Sequence, residues 1–120
     1  MIKFKRIFFV YLILSQILIY PPNCQAEENQ YSLIIQNNRF VPNELVIPSG
    51  KKVKILIENL DSTPEEFESF DLNREKIISP KGKVVIFIGP LKPGKYKFFG
   101  EFHQDTAQGT VVVRDEKEDQ

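Results

Sequence analysis

The sequence has almost none of the side chains that bind soft metals or cross-link a fold. Its 120 residues include one cysteine, one methionine and one histidine, and no tryptophan. The cysteine, Cys24, lies near the N-terminus, and a single cysteine cannot form an intramolecular disulfide. A disulfide framework and a site built on several thiolates are therefore both excluded.

The residues required for nucleophilic catalysis are equally scarce. His103 is the only histidine, so any Ser-His-Asp arrangement has to use it, and no serine stands in a G-x-S-x-G setting. Paired carboxylates occur, but nothing around them predicts a sugar-binding cleft. We therefore expect a protein that is not an enzyme.

Charge of neither sign is in excess, because 16 Lys and Arg residues balance 16 Asp and Glu residues. The basic residues do not cluster with aromatic residues along a face, which argues against nucleic acid as a partner. Charge alone therefore selects no class of partner.

The first 26 residues have the pattern of a secretory signal peptide. A basic start, MIKFKR, precedes the apolar run IFFVYLILSQILIY, which ends at Pro21 and Pro22. Cys24 and Ala26 place small residues three and one positions before a cut after Ala26. The run is short for a spanning helix, which needs ~20 apolar residues. We expect cleavage and a periplasmic location, with a retained anchor as the alternative.

Cleavage after Ala26 leaves 94 residues that are not embedded in the membrane and contain no cysteine. The loss of Lys3, Lys5 and Arg6 leaves 13 basic and 16 acidic residues, a formal charge of −3. The end of the chain, DEKEDQ at 115–120, offers no apolar residue to bury, which predicts a disordered charged tail. We therefore predict one domain over residues 27–114.

The pattern within that domain is typical of β-strands. Short alternating or β-branched runs are separated by turns rich in Pro, Gly, Asn and Asp: YSLIIQ, ELVIP, KVKILIEN, EEFESF, KVVIFIG, KYKFF and GTVVV. We predict an all-β fold, an antiparallel Greek-key β-sandwich of about seven to eight strands. Residues 63–70 have an alternative as one short helical turn, because Thr63 can cap a helix with Pro64 at its first position.

Two stretches of the sequence carry a resemblance to the cupredoxin-like domain family. RFVPNELVIPSGKKVKILIENLD resembles the opening of such domains, with its F-x-P-x-x-L-x-I-P-x-G turn and Asn-containing corner. LKPGKYKFFGEFHQDTAQGTVVV resembles their close, P-G-x-Y-x-F-x-C-x-x-H followed by M-x-G-x-V-x-V. This resemblance implies a Greek-key sandwich of the cupredoxin type.

The middle of the chain, TPEEFESFDLNREKIIS, is most similar to the periplasmic iron-uptake (EfeO-type) branch of that family. Members of this branch carry an E-aromatic-E sequence followed by an R-E-x-I segment. The resemblance implies binding or transfer of iron or copper. It also implies a partner, which is either a membrane iron permease or a periplasmic metal-handling protein.

The positions that hold copper in electron-transferring cupredoxins are mostly replaced in this sequence. The resemblance places the first histidine at Glu65 or Glu66, the cysteine at Gly100, the second histidine at His103 and the methionine at Ala107. A blue-copper centre needs a His₂Cys set with its soft thiolate. We therefore expect no type-1 copper centre.

Oxygen donors remain around the lone imidazole. Glu66 and Glu68 are two apart on a strand and leave the same face, and Glu101, His103 and Asp105 alternate likewise. Carboxylates with one imidazole suit Fe³⁺, Fe²⁺, Mn²⁺, Zn²⁺ or Cu²⁺. We predict that Glu66 and His103 are direct ligands, that Glu68 and Asp105 are additional or supporting oxygen donors, and that Glu101 is a further candidate.

The acidic residues of the stretch EEFES at 65–69 also have a purely structural interpretation. Phe67 is a core residue by its type, and this would turn Glu65 inward and leave Glu66 and Glu68 on the outer face of the sheet. His103 would then only form a hydrogen bond within its loop. The alternative function is accordingly a metal-free β-sandwich interaction protein that docks on a membrane or periplasmic partner.

Overall fold

The computed structural model of the chain describes residues 29–116. The predicted signal peptide at 1–26 lies outside these residues, as do residues 117–120 of the predicted tail. Nine strands and one 3-10 turn at Glu101–His103 make up this part of the chain. The strands are β1 (Gln30–Gln36), β2 (Arg39–Val41), β3 (Glu44–Pro48), β4 (Val53–Asn59), β5 (Glu65–Ser69), β6 (Arg74–Ile78), β7 (Lys83–Ile88), β8 (Gly94–Gly100) and β9 (Gln108–Arg114).

The strands form two packed sheets, which confirms the predicted all-β sandwich; the short β2 brings the count to nine. One sheet has the order β2-β1-β4-β7 and the other the order β3-β9-β8-β5-β6. Both sheets are mixed rather than purely antiparallel, since β1 pairs with β4 and β3 pairs with β9 in parallel. The chain crosses from one sheet to the other between β2 and β3 and returns at β4. Among residues 29–116, no helix has the length and apolar character needed to cross a membrane.

The core lies between the inner faces of the two sheets. Ile55 and Ile57 of β4 are fully buried, as their alternation predicts, and they face the other sheet. Three aromatic rings fill the end of the core nearest β5, with centroids 5.0–6.1 Å apart: Phe40, Phe67 and Phe98. Burial of these rings fixes which face of β5 points inward.

Residues 65–69 form a strand, so the alternative of a helical turn over 63–70 is wrong. Pairing on both sides outweighs the local capping pattern, because β5 is hydrogen-bonded to β6 along its whole length and to β8. The preceding corner is held by buried Asn59. Its Nδ2 donates to the carbonyl oxygens of Thr63 at 2.8 Å and Ile78 at 3.2 Å, and its Oδ1 accepts the N–H of Asp61 at 3.0 Å.

Candidate metal centre

Glu65, the first residue of β5, places a carboxylate inside the sandwich. The residue is 1% exposed. Its Oε2 lies 2.6 Å from Nδ1 of His103, and its Oε1 accepts the backbone N–H groups of Phe102 and Glu66, both at 3.0 Å. A buried carboxylate is costly unless it is paired and hydrogen-bonded, and these three donors meet that requirement.

Space for this carboxylate comes from the small residues beside it. A Cβ atom at Gly100 would lie 2.6 Å from Cδ of Glu65 and 2.7 Å from Cβ of Ala107. The backbone N–H of Gly100 donates to the carbonyl oxygen of Ala107 at 2.8 Å, which holds the two strand ends together. Any side chain larger than hydrogen at position 100 would displace Glu65.

Glu65, Gly100, His103 and Ala107, which we call the core site, thus converge as the copper-ligand positions of the resemblance imply. Their side chains do not fit a type-1 copper ion, because thiolate and thioether are both missing. The imidazole of His103 is also engaged, because its Nδ1 already contacts the carboxylate of Glu65. The hydrogen-bonded Glu65–His103 pair therefore fills the position that the resemblance assigns to a metal ion.

A second group of acidic residues lies on the outer face of the same sheet. Glu66, Glu68 and Glu75, which we call the surface carboxylates, each offer an oxygen within 4.8 Å of the other two. Glu68 on β5 is directly opposite Glu75 on β6, and Glu66 lies on the same face of β5. Glu66 is only 8% exposed although it faces outward.

The proximity of the surface carboxylates changes their protonation. A hydrogen bond to Glu75, burial, and the negative charges of Glu75, Glu68 and Glu101 raise the pKa of Glu66 from 4.5 to about 7. Burial and the charges of Glu75 and Glu101 also raise the pKa of Glu68. Within residues 29–116, no lysine or arginine forms an ion pair with the surface carboxylates. The mutual repulsion of these carboxylates is therefore not relieved by a direct salt bridge.

The structure does not bring the five predicted ligands, Glu66, Glu68, Glu101, His103 and Asp105, together around one ion. Glu66 and Glu68 lie together, and the charge of Glu101 acts on both of them. His103 instead contacts Glu65, because adjacent residues of a strand project to opposite faces. Asp105 is exposed in the turn that follows His103 and belongs to neither group.

Sequence reasoning missed Glu75 as a member of the acidic group and left the role of Glu65 open. The R-E-x-I segment contains Glu75, and the turn of four residues between β5 and β6 places it opposite Glu68. Counting outward from that turn would have identified this pair. The inward direction of Glu65 follows from Phe67, which is buried two residues later.

Comparison with known proteins agrees with this architecture. The sequence profile of the cupredoxin-like domain matches residues 7–113. The chain is 43% identical over 117 residues to the uncharacterized protein RP394 of Rickettsia prowazekii (strain Madrid E), covering 92% of this chain and 94% of that protein.

Solved structures share the fold at lower identity. The novel purple cupredoxin from Nitrosopumilus maritimus is 24% identical, with 70% of this chain and 99% of that chain covered and a TM-score of 0.55. The metal-binding domain of the Cu(I)-exporting P-type ATPase CopA of Streptococcus pneumoniae D39, solved with Cu(I), is 14% identical, with coverage of 72% and 85% and a TM-score of 0.62. The chain belongs to the cupredoxin-like domain family.

Proposed function

We propose that this protein is a non-enzymatic metal-binding module that holds an ion through the surface carboxylates. The observation that carries the proposal is the convergence of Glu66, Glu68 and Glu75 to within 4.8 Å. Oxygen-only ligands suit hard or borderline ions, so iron or Cu²⁺ fits this group better than Cu⁺. A bound cation would also remove the mutual repulsion of the three carboxylates.

Further support for a metal-related role comes from the fold. The similar domain of the Streptococcus exporter was solved with Cu(I). In the core site of the present chain Glu65 and His103 are hydrogen-bonded to each other, which supports the outer face of the sheet, where three carboxylates converge, as the place of ion binding. The proposed role is accordingly capture or transfer of an ion, without electron transfer through a blue-copper centre.

The cellular setting of the proposal rests on the sequence. The resemblance of residues 63–79 to the iron-uptake branch supports a role beside iron transport. The pattern of residues 1–26 supports export to the periplasm. The partner that we propose is a membrane iron permease or a periplasmic metal-handling protein.

A thermal-shift panel tests the proposal on protein purified after export. Fe²⁺ under anaerobic conditions, Cu²⁺, Zn²⁺ and Mn²⁺ are each added to metal-free protein. An ion at 100 times its dissociation constant adds about 2.7 kcal/mol to the free energy of unfolding. At ~4–8 °C per kcal/mol for a domain of this size, the shift is readily measured.

Matched variants locate the site. The double variant Glu68→Gln and Glu75→Gln should lose the shift, and Glu44→Gln, an exposed carboxylate on the edge strand of the same sheet, should keep it. His103→Gln should also keep it, although His103 was predicted as a ligand. A shift that survives in the double variant would place the ion elsewhere.

The second candidate is a metal-free interaction protein. The observation that favours it is the Glu65–His103 pair, which closes the core site without a metal ion. In that case none of the four ions would change the melting temperature of the wild-type protein.

A further inference from the structure

Phe70 presents an aromatic ring to solvent directly beside the surface carboxylates. It is 78% exposed, and its ring centroid lies 5.6 Å from that of Phe99 on β8. Glu68 is the register partner of Phe99, so both side chains lie on the outer face of the sheet. Phe70 follows Glu68 by two residues, and the aromatic pair is therefore continuous with the acidic group.

The turn that carries Phe70 is held firmly against the sheet. Ser69 Oγ donates to the carbonyl oxygen of Lys97 at 2.6 Å, and the N–H of Lys97 donates to Asp71 at 2.8 Å. Leu72 is buried under the turn and accordingly anchors it in the core. Exposure of Phe70 is thus a property of a well-ordered turn. Aromatic side chains, phenylalanine among them, are enriched in protein interfaces.

We name the surface formed by Phe70, Phe99, the surface carboxylates and Glu101 the docking face. Its apolar part is an aromatic pair, and its charged part is four glutamates whose negative charges act on one another. Lys97 lies beside the aromatic pair, but the four glutamates outweigh it, so the docking face of a second copy or an anionic lipid surface would be repelled. The complement of such a face is a cationic protein.

We propose that the docking face binds a protein segment in which lysine or arginine stands next to an apolar side chain. The apolar side chain packs on Phe70 and Phe99, and the basic side chains approach Glu68 and its neighbours. This inference rests on the proposed function, because it identifies the docking segment as part of the protein that gives or takes the ion.

Docking and ion binding use the same carboxylates and therefore oppose each other. A basic side chain that approaches Glu68 and Glu75 provides the positive charge that the ion otherwise provides. Coupling of this kind is reciprocal: the segment weakens ion binding by the same factor by which the ion weakens docking. Arrival of the partner thus favours release of the ion.

Selection from a phage-displayed library of random 12-residue peptides tests the docking face. With the purified metal-free protein as target, the enriched peptides should carry Lys or Arg beside an apolar residue. A synthetic peptide of the consensus sequence is then measured by calorimetry. Phe70→Ser should raise the dissociation constant of this peptide at least tenfold, and Phe87→Ser should leave it unchanged. Phe87 is a matched control, since it is 46% exposed on β7 of the other sheet.

Two results would overturn the docking face. One is selection of peptides without basic residues, and the other is equal loss of affinity in Phe70→Ser and Phe87→Ser. Mn²⁺ is used to test the coupling. Saturation with Mn²⁺ should lower the affinity for the peptide at least about fivefold, the lower end of typical coupling. An unchanged affinity in Mn²⁺-loaded protein would refute the coupling.

The readouts separate this inference from the proposed function. Phe70→Ser should bind Mn²⁺ as the wild type does, because Phe70 offers no ligand atom. Peptide selection that fails in a protein that binds Mn²⁺ refutes the docking face alone. Peptide binding in a protein that no ion stabilises refutes the metal-binding function and leaves the docking face intact.

Discussion

Oε2 of Glu65 lies 2.6 Å from Nδ1 of His103, and both residues stand at positions to which the sequence resemblance assigns copper ligands. The carboxylate is buried, whereas the His103 side chain is 27% exposed. The carboxylate accepts hydrogen bonds from two backbone N–H groups and contacts His103, and the small residues Gly100 and Ala107 leave room for it. Because these two residues replace the thiolate and the thioether, the site lacks both sulfur ligands of copper. The core site is thus organised around the hydrogen-bonded Glu65–His103 pair.

Gly100→Ala should lower the free energy of unfolding by about 1–3 kcal/mol, the usual cost of overpacking. The added Cβ would meet Glu65 at 2.6 Å and Ala107 at 2.7 Å. In a Glu65→Ala background the first contact is absent, so the penalty should fall without vanishing. Urea unfolding of the four proteins in a double-mutant cycle measures this coupling. An equal penalty in both backgrounds would contradict the packing that we describe.

Copper should produce no intense visible charge-transfer band in the wild-type protein, because the core site has Gly100 where a thiolate would donate to Cu²⁺. The triple variant Glu65→His, Gly100→Cys and Ala107→Met should develop such a band, since it restores the ligand types at positions that already converge. The control is the double variant without Gly100→Cys, which should remain colourless. Absorption spectroscopy during titration with Cu²⁺ distinguishes them, and a band in the wild type would refute the prediction.

Stability of the metal-free protein should decrease between about pH 4.5 and 7. The pKa of Glu66 is about 7 in the folded protein, and its ordinary value is 4.5. Over this interval the folded state keeps a proton that the unfolded state has released, so a rise in pH favours unfolding. The contribution is complete below the lower value and is lost as the pH passes the upper one.

Glu66→Gln should flatten this pH profile and should be more stable than the wild type at about pH 8, because glutamine carries no charge. Urea unfolding at several pH values, in the presence of a chelator, gives both profiles. Glu44→Gln is the control, and its profile should follow that of the wild type. Parallel profiles for Glu66→Gln and the wild type would show that Glu66 is not the titrating group.

Asn59→Ala should destabilise the protein by about 2–4 kcal/mol, since its buried amide makes several hydrogen bonds worth about 0.5–1.5 kcal/mol each and their partners would be left unpaired. Those bonds join Thr63, Ile78 and Asp61. Asn43→Ala, an exposed asparagine, should stay within about 0.5 kcal/mol. Chemical denaturation measures both, and equal effects would contradict the role of Asn59 in holding the corner before β5.

Much of the fold could be predicted from the sequence because strand alternation and turn residues are local signals. Val53, Ile55 and Ile57 alternate in the run KVKILIEN, which predicts one shared face, and all three are buried. The parallel pairs β1–β4 and β3–β9 could not be predicted in this way. They depend on which sheet each strand joins, and this is decided by long-range packing.

The candidate site was predictable only in part, for a related reason. Glu66 and Glu68 were correctly placed on one face, but their association with His103 required Glu66 to point inward. Burial of Phe67 against Phe40 and Phe98 decides the opposite, since these three rings lie within 6.1 Å of one another. Glu75 was omitted because its partner across the hairpin depends on the length of a turn.

Glu65 and Glu66 are consecutive residues, yet one is the acid of the core and the other the acid of the surface. A strand that slips by one residue sends every side chain to the opposite face. Such a slip in β5 would exchange the two glutamates and move Phe67 to solvent, so the burial of Phe67 opposes it. One phenylalanine thus determines which of two adjacent carboxylates is enclosed by the sandwich and which remains available at its surface.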